Sequence, residues 1–595
     1  MIPYIAPLED MEFALAELSE IDRVAELPDS DSVSDRDLMV AILDQAARFA
    51  GEVLAPLNQV GDRVGARWTE NGVTTPPGFA DAYRQFTEAG WNNIALPVQY
   101  GGQGLPGLLC VAVQEMFTSA NKAFCYCSGL TEAGAIALAS SADEAVKSEY
   151  VPKLVAGQWS ATMNLTEPQA GSDVGGLTTR ALLQPDGTYR IHGQKIFISY
   201  GDHDFTENIV HLVLARISGS PAGSRGISLF VVPKILPQTG ARNDVRCTGI
   251  EHKLGNHGSP TCTLVFGADG GGAQGWLVGS ENKGLQAMFV MVNAARMKVG
   301  QEGTAMSERA YQQALAYARE RIQGKLAGSG EDSVAIIRHP DVRRMLMMMR
   351  SQTEAMRAVG YLIAGARDLA ARHPDSDVRR ERQAFVDLMI PIFKGWATET
   401  GIEVTSLSIQ IHGGIGYIEE SGASQPLRDV RVSAIYEGTT SIQAHDLVER
   451  KLVRDGGAAL RAWLSEVHRT LHQLRESKES EHLESARYLV QAVSRLEHVC
   501  AKVLADYARD PLPVLAVSVP LLRMFGLVVG GWQMARAGLA ARRKLAEGIG
   551  NVPFLRAKIA SATFYAVHVL PQAMALSVVV EHGGSAALSS DDLWR

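Results

Sequence analysis

The spacing of apolar residues changes twice along this chain, and these changes limit the possible folds more than any other feature. Up to about residue 158, apolar side chains recur at the three- and four-residue spacing of helices. Between residues 159 and 283, short apolar runs alternate with glycine- and proline-rich turns, which indicates β-strands at 209–217, 227–232 and 261–266. Helical spacing returns after residue 284. This order predicts an α+β protein in which a β-barrel or sandwich separates helical domains.

The 595 residues divide accordingly into five segments. They are an N-terminal arm (1–35), an N-terminal helical domain (36–158), a middle β domain (159–283), a C-terminal helical bundle (284–450) and an additional helical module (451–595). Ser34, with Asp37 three residues later, predicts the start of the first helix of the second segment. The apolar face predicted for that helix consists of Leu38, Ile42, Ala46, Phe49 and Val53.

The charge and the cysteine content argue against several classes of protein. The formal net charge is −8, whereas a chain that neutralises nucleic-acid phosphates usually carries a basic excess. Six cysteines are too few for a disulfide scaffold, and Cys125 and Cys127 lack the second pair of a zinc site. We therefore expect no nucleic-acid partner, no metal, and reduced thiols in a cytoplasmic protein.

Neither the N-terminus nor the most membrane-like stretch of the chain favours insertion into a membrane. Acidic residues, not a basic patch and an apolar run, follow the first five residues, so we expect no signal peptide. The most membrane-like stretch, 511–532, is interrupted by Pro513, Pro520 and Arg523, which leaves apolar runs shorter than the roughly 18 residues that span a bilayer. We expect a buried core helix there and no membrane association.

Three segments carry residues suited to chemistry, and the first is residues 163–173, with the sequence MNLTEPQAGSD. It follows a short apolar strand and offers backbone N–H groups, hydroxyls and a glycine that allows a ligand to approach the backbone. Such a loop can hold a planar polar ring or a phosphate. A plain turn between strands is the alternative.

The second segment is QIHGGIGY, residues 410–417, at the end of a long predicted helix. Gly413 and Gly414 would allow the phosphates of a ligand to touch the backbone, and a helix C-cap is the alternative. His412 has no partner at metal-ligand spacing, so we predict a structural role for it.

The third segment is IYEGTTSIQ, residues 435–443. Ile435 and Tyr436 would exclude water from Glu437, which raises the pKa of a carboxyl group and makes it a better general base. An acidic residue near the positive end of a helix dipole is the alternative interpretation.

Together these segments resemble the acyl-CoA dehydrogenase family, in which LTEPQAGSD, QIHGGIGY and YEGTTSIQ occur in this order with comparable separations. The resemblance covers about residues 36–450. The arm and the additional module are similar to an extended bacterial class that acts on fatty acyl-CoA or 3-methylmercaptopropionyl-CoA. The resemblance implies FAD as cofactor and a fold with an N-terminal helical domain, a central β-barrel or sandwich, a C-terminal four-helix bundle and, here, an additional helical module.

The resemblance also implies roles for particular residues. Glu437 matches the catalytic base, and the alternative position used by some relatives, one residue before Arg296, holds Ala295. The residues that match FAD-binding positions are Met163, Leu165, Thr166, Gly171, Ser172, Phe197, Ser199, Arg321, Gln323, Gln410, Gly413, Gly414, Thr439 and Ser441. The residues that match substrate-binding positions are Ser172, Asn293, Arg296, Tyr436 and Gly438.

In this family the base removes a proton from the α-carbon of an acyl-CoA thioester, a hydride leaves the β-carbon for the flavin, and trans-2-enoyl-CoA forms, as in fatty acid β-oxidation. The resemblance implies electron transfer to an electron-transferring flavoprotein. It also implies at least a homodimer, because Arg321, Gln323 and residues 410–414 match segments that reach the FAD of a neighbouring subunit. Three alternatives stay open: an acyl-CoA oxidase, a DNA-binding flavoprotein of the same fold, and a membrane-attached very-long-chain enzyme.

Overall fold

The computed structural model describes residues 2–328, 330 and 332–589, without the side chains of residues 290 and 293. The chain forms two compact units, each built from separate stretches of sequence. We call them the helical unit (Met1–Ala47, Pro106–Ser119 and Val299–Arg595) and the mixed unit (Arg48–Leu105 and Ala120–Lys298). The five-segment division of the chain stays a prediction.

The mixed unit contains the strands of the described residues. They are β1 (Arg67–Thr69), β2 (Gly72–Thr74), β3 (Trp159–Asn164), β4 (Arg180–Leu183), β5 (Tyr189–Ser199), β6 (Asn208–Ile217), β7 (Ile227–Pro233), β8 (Val245–Ile250), β9 (Thr261–Phe266) and β10 (Ala273–Val278). The strands predicted at 209–217, 227–232 and 261–266 are confirmed as β6, β7 and β9.

These strands build a small barrel. β10 pairs antiparallel with both β7 and β5, so that β10, β7, β6, β4 and β5 close a ring. β3 lies parallel to β6, and β9 and β8 continue the sheet from β5. Ile191, Val213 and Phe230 are fully buried in one of the unit's apolar cores. Successive side chains of a strand point to opposite faces, and the other face of β6 and β7 lies in a second apolar core that contains Leu212 and Leu229.

Apart from short 3₁₀- and π-helical segments, one of which (Ala50–Leu54) contains the predicted Val53, the remaining elements are α-helices. They are α1 (Leu8–Leu18), α2 (Ile21–Ala25), α3 (Asp31–Ser34), α4 (Arg36–Phe49), α5 (Ala55–Val64), α6 (Phe79–Glu88), α7 (Gly107–Ser141), α8 (Glu144–Val155), α9 (Gly284–Glu320), α10 (Pro340–Arg372), α11 (Ser376–His412), α12 (Gln425–Val430), α13 (Thr440–His445), α14 (Ala458–Glu476), α15 (Ser480–Tyr507), α16 (Pro511–Ala516), α17 (Ser518–Glu547), α18 (Val552–His568) and α19 (Pro571–Ala587). The predicted order of helices, strands and helices is therefore confirmed.

Close helix packing defines the helical unit. A Cβ atom at Gly303 of α9 would overlap the backbone of Ala397 of α11, so only glycine allows these two helices to approach so closely. The N-terminal arm belongs to the same core, since Tyr4, Met11 and Leu15 are buried. The arm is thus an integral part of the unit's hydrophobic core.

The additional helices continue this core. α17 contains most of the stretch 511–532, and Leu522, Phe525 and Trp532 are buried there, which confirms the predicted core helix. Another stretch, Val552–Ala587, is long and apolar enough to cross a membrane by length and composition, and 39% of its most apolar window is buried. The sequence reasoning overlooked this stretch. A core helix of a soluble protein meets the same criterion, and α18 ends within the stretch before α19 begins at Pro571.

The start of α4 differs from the prediction. Asp35, not Ser34, caps the helix, since its Oδ1 accepts hydrogen bonds from the backbone N–H groups of Asp37 (3.0 Å) and Leu38 (3.2 Å). The buried residues of α4 are Met39, Leu43 and Ala46, so Ala46 is buried as predicted, whereas Leu38 is exposed and Met39 is buried in its place. The hairpin formed by β1 and β2 also lies in a region predicted to be helical.

Candidate active site

The loop at 163–173 leaves β3 in the mixed unit and exposes its far end. Met163, Leu165 and Thr166 are half-buried, whereas Gly171 and Ser172 are exposed. Glu167 and Ala170 exchange two backbone hydrogen bonds of 3.0 Å, which fold the loop into a tight turn. A Cβ atom at Gly171 would meet nothing within 4 Å. The backbone of this loop is therefore accessible to a ligand.

A buried ion pair fixes the base of this loop. Lys195 of β5 donates from Nζ to Glu167 Oε1 (2.8 Å) and to the carbonyl oxygen of Leu165 (2.9 Å). The hydroxyls of Thr178 and Thr179 donate to the same carboxylate at 2.8 and 2.6 Å. Burial opposes ionisation of Glu167, but Lys195 and these hydrogen bonds outweigh it and lower the pKa of Glu167 to about 2. Burial lowers the pKa of Lys195 to about 8, so both groups are charged at neutral pH.

Glu167→Gln removes the charge that balances Lys195. We expect the free energy of unfolding to fall by about 1.5–3 kcal/mol, the range for hydrogen bonds to charged groups, and FAD to bind several-fold more weakly. Because the folded state lowers the pKa of Glu167 from 4.5 to about 2, this stabilisation is present above pH 4.5 and is lost as the pH falls towards 2. The measurements are urea unfolding at pH 7 and pH 3 and fluorescence titration with FAD. The control is the exposed Glu251→Gln, and equal FAD affinity of both variants would contradict this role.

A bulge in β5 turns Phe197 outward. The register against β9 shifts between Lys195 and Ile198, and Phe197 has a φ of 60° with its side chain 59% exposed. Left-handed backbone at a non-glycine residue costs about 1–3 kcal/mol and is concentrated at functional sites. Ser199, two residues further on, is half-buried. An exposed ring beside an accessible loop fits a planar cofactor such as a flavin.

The predicted substrate-binding residues of α9 are only partly described. Arg296 is buried, with 8% of its surface exposed. The side chain of Asn293 lies outside the described residues. That Arg296 contacts the substrate stays a prediction.

In the helical unit, Glu437 lies in a turn between Tyr436 and α13. Its φ is 54° and that of Gly438 is 87°, so two consecutive residues are left-handed. The side chain of Glu437 is half-buried. Thr439 caps α13 by accepting a hydrogen bond from the N–H of Ile442 (3.3 Å), and Ser441 is exposed in the first turn of that helix. Strained backbone at a carboxylate is typical of a residue held for function.

Tyr436 is anchored by a hydrogen bond to α9. Its hydroxyl donates to the carboxylate of Glu302 on α9, which also accepts a hydrogen bond of 2.5 Å from Ser433. Ile435 is 52% exposed. Tyr436 is therefore the better-buried of the two side chains predicted to shield Glu437.

The remaining predicted cofactor residues are exposed on the helical unit. α11 ends at His412, and Gly413 has a φ of 62°, with nothing within 4 Å of a Cβ atom at Gly413 or Gly414. Gln410 is exposed as well. His412 has the structural role predicted for it, since it stacks on Tyr317 with ring centroids 4.6 Å apart.

Arg321 and Gln323 lie close together where the chain leaves α9. The guanidinium of Arg321 donates to Gln323 Oε1 at 3.2 Å, and both residues are exposed. Backbone hydrogen bonds to Val334 and Ile336 hold this segment extended. A cation is therefore available at the surface for a diphosphate.

Sequence reasoning missed the residues that hold the site in shape. Lys195 and Glu302 were not singled out. Lys394 and Gln443, which donate hydrogen bonds to the Glu437 turn, were not singled out either. One signal was present in the sequence: Lys195 occupies an inward position of an alternating strand, where a lysine requires a partner.

Comparisons with known proteins show which family the chain is similar to. Four family models match: the acyl-CoA dehydrogenase N-terminal domain (residues 39–158), its middle domain (162–268), its C-terminal domain (282–452) and the acetyl-CoA dehydrogenase C-terminal-like domain (463–591). The chain is 43% identical over 592 residues to 3-methylmercaptopropionyl-CoA dehydrogenase of Ruegeria pomeroyi, covering 99% of each chain. It is 33% identical to the broad-specificity linear acyl-CoA dehydrogenase FadE5 of Mycobacterium tuberculosis, covering 98% of each.

Solved structures show the same fold. An acyl-CoA dehydrogenase from Bacillus anthracis complexed with FAD matches with a TM-score of 0.75 at 22% identity, covering 98% of this chain and 93% of that one. ACDH-11 of Caenorhabditis elegans, in complex with C11-CoA, matches with a TM-score of 0.74 at 20% identity, covering 95% and 92%.

The fold and the matches together define the class of protein as FAD-dependent oxidoreductases that act on a CH–CH bond. This chain belongs to the acyl-CoA dehydrogenase family.

Proposed function

We propose that this protein oxidises a linear acyl-CoA thioester to trans-2-enoyl-CoA and passes the electrons to an electron-transferring flavoprotein. The observation that carries this proposal is Glu437 itself: a half-buried carboxylate in a left-handed turn, where the family resemblance expects the base. Likeness over the full length to 3-methylmercaptopropionyl-CoA dehydrogenase supports a short, unbranched acyl group. Butyryl-CoA dehydrogenases of Syntrophomonas wolfei at 32% and 30% identity support the same substrate class.

The residues of this chain have distinct tasks in the proposed reaction. The carboxylate of Glu437 takes the proton from the α-carbon, and the backbone N–H of Glu437 donates to the thioester carbonyl, where negative charge develops. Ser172, Arg296, Tyr436 and Gly438 hold the acyl-CoA, and Asn293 is assigned to the same group by the resemblance alone.

A second set of residues is proposed to bind FAD. When bound, FAD supplies the acceptor for the hydride from the β-carbon. Met163, Leu165, Thr166, Gly171, Ser172, Phe197 and Ser199 of the mixed unit are assigned to it. Thr439 and Ser441 of the helical unit are assigned to it as well. Their support is the exposed Phe197 and the accessible loop around Gly171.

We further propose a cytoplasmic homodimer. Arg321, Gln323, Gln410, Gly413 and Gly414 are exposed in this chain, which suits residues that reach the FAD of a second copy. Light scattering of the purified protein measures the oligomeric state.

An acyl-CoA panel tests the proposed activity. Turnover is measured with short, medium, long and branched acyl-CoAs and with 3-methylmercaptopropionyl-CoA, first with an electron-transferring flavoprotein and then with oxygen as sole acceptor. We expect the highest kcat/KM for a short linear thioester, with the flavoprotein as acceptor. Peroxide release at the same rate without the flavoprotein would instead identify an oxidase, and no turnover with any thioester would contradict the proposal.

A further inference from the structure

Two fully buried side chains hold the backbone at the proposed base. Lys394 of α11 donates from Nζ to the carbonyl oxygen of Gly438 at 2.7 Å. Gln443 of α13 donates from Nε2 to the carbonyl oxygens of Glu437 (3.1 Å) and Gly438 (3.2 Å). Both side chains are 0% exposed. Neither belongs to the residues that the family resemblance assigns to substrate or cofactor.

These hydrogen bonds act where the backbone needs support. Glu437 has a left-handed φ of 54°, which a residue with a Cβ atom adopts only when its surroundings fix it. The carbonyl group of Glu437 belongs to the peptide after the base and that of Gly438 to the next peptide, so holding both oxygens fixes the orientation of two consecutive peptides. Both donors are completely buried, so water does not compete for these hydrogen bonds.

The position of Lys394 depends in turn on the additional helices. A Cβ atom at Gly395 would lie 2.7 Å from Cδ2 of Leu522 on α17, so the two helices touch next to Lys394. A Cβ atom at Gly526 of α17 would overlap the side chain of Trp396, which is 2% exposed. α17 therefore packs directly on the turn of α11 that carries Lys394.

A further contact closes this arrangement. Thr440, the first residue of α13, donates to Glu399 Oε1 of α11 at 2.6 Å. Gln443 lies one turn later in α13. The two helices that supply the donors are thus tied to each other directly after the Glu437 turn.

We propose that Lys394 and Gln443 are positioning residues for Glu437, and that the additional module of residues 451–595 supports the reaction through the contact of α17 with α11. This inference rests on the proposed function, in which Glu437 is the base. Neither residue touches a reacting atom. Both fix the direction in which the carboxylate of Glu437 leaves the backbone.

Replacement of the donors tests the proposal. In Gln443→Met and Lys394→Met the side chains keep their length and lose their hydrogen bonds. A displacement of a catalytic group by about 1 Å can cost about 100-fold in rate, so we expect kcat to fall by about 10- to 100-fold while KM changes little. We also expect a larger kinetic isotope effect with substrate deuterated at the α-carbon, because proton removal then limits turnover more strongly.

Matched controls separate positioning from loss of stability. Gln352 is a buried glutamine of α10 whose amide donates to a carbonyl oxygen of its own helix at 3.4 Å, and Lys234 is a half-buried lysine of the mixed unit that donates to Asp202 at 2.5 Å. Gln352→Met and Lys234→Met are expected to lower Tm and to leave kcat and the isotope effect unchanged. If Lys394→Met does not fold, Gln443→Met decides alone.

The outcomes distinguish this inference from the proposed function. If Glu437→Gln is inactive but Gln443→Met retains wild-type kcat and isotope effect, the inference is wrong and the proposed function stands. If Glu437→Gln retains activity, the proposed function itself is wrong. If kcat fell equally in the two control variants, the effects of Lys394 and Gln443 would be effects on stability and not on the position of Glu437.

Discussion

Glu437→Gln is expected to lose turnover by about 100- to 10,000-fold, the usual contribution of general acid–base catalysis. The amide has nearly the shape of the carboxylate but cannot accept the α-proton. The turn around Glu437 is held through its backbone by Lys394 and Gln443, so the substitution leaves its geometry in place. We therefore expect the variant to remain yellow, with FAD bound in the same proportion as in the wild type.

The control for this variant is Glu419→Gln, which makes the same charge change at a side chain that is 77% exposed. It should retain full activity. A Glu437→Gln enzyme that keeps more than about a tenth of wild-type turnover would contradict the assignment, because general base catalysis is typically worth at least about 100-fold.

Arg357→Met is expected to cause the largest loss of stability. Arg357 is 1% exposed and pairs with three carboxylates: Glu115 (2.6 Å), Asp10 (2.5 Å) and Glu308 (2.8 Å). Burial opposes the charge, but these carboxylates outweigh it and raise the pKa of Arg357. Its removal leaves buried carboxylates without their counter-charge. Breaking such a buried pair costs about 3–5 kcal/mol.

Urea unfolding, monitored by the fluorescence of buried tryptophans, measures this loss of stability. The control is Arg380→Met, at a surface pair with Asp377 in which both side chains are 75% exposed. We expect a change of less than about 1 kcal/mol there, as for most exposed ion pairs. If the free energy of unfolding of Arg357→Met fell by less than about 1 kcal/mol, the network would stabilise the fold less than buried ion pairs usually do.

The dependence of stability on pH in acid tests the same network of buried charges. Burial alone would raise the pKa of Asp10, but Lys558 and Arg357 lower it below its ordinary value of 3.8. The stabilisation that Asp10 provides is therefore present above pH 3.8 and is lost as the pH falls below it. The difference in the free energy of unfolding between wild type and Arg357→Met should therefore become smaller in strong acid.

The order of the elements was predictable because it follows from local periodicity. β6, β7 and β9 lie within a residue of their predicted bounds. β6 and β7 are continuous apolar runs that are buried on both faces, β9 alternates, and turn residues bound all three. The buried face of α4 was predicted in part: Ala46 is buried as expected, but Met39 and Leu43 are the buried residues where Leu38 and Ile42 were predicted. Leu38 and Met39 are equally apolar, and only the tertiary structure decides which of them is covered.

Buried charges were the least predictable part of the fold. Asp10, Glu115, Glu308 and Arg357 each lie in a helix, where a charged residue is usually solvated. Their partners are distant in sequence: Arg357 and Asp10 are separated by 347 residues. No local pattern identifies such a pair.

The candidate site likewise has parts that were predictable from the sequence and parts that were not. Its motifs are local, so Glu437, the loop at 163–173 and the glycines of 413–414 were found from the sequence. The groups that hold them are not local: Lys195 reaches Glu167 across 28 residues and Lys394 reaches Gly438 across 44. Gln443 was within the motif but was passed over, because its role depends on the two carbonyl oxygens that the turn presents to it.

A single-turnover experiment tests most directly whether Glu437 takes the α-proton. Wild-type and Glu437→Gln holoenzymes are mixed without oxygen with one equivalent of the preferred acyl-CoA, unlabelled or deuterated at the α-carbon, and the yellow absorbance of the flavin is followed. We predict rapid bleaching of the wild type that slows with the deuterated thioester, and no bleaching of Glu437→Gln on the same timescale. Equal bleaching of the two proteins would contradict the account.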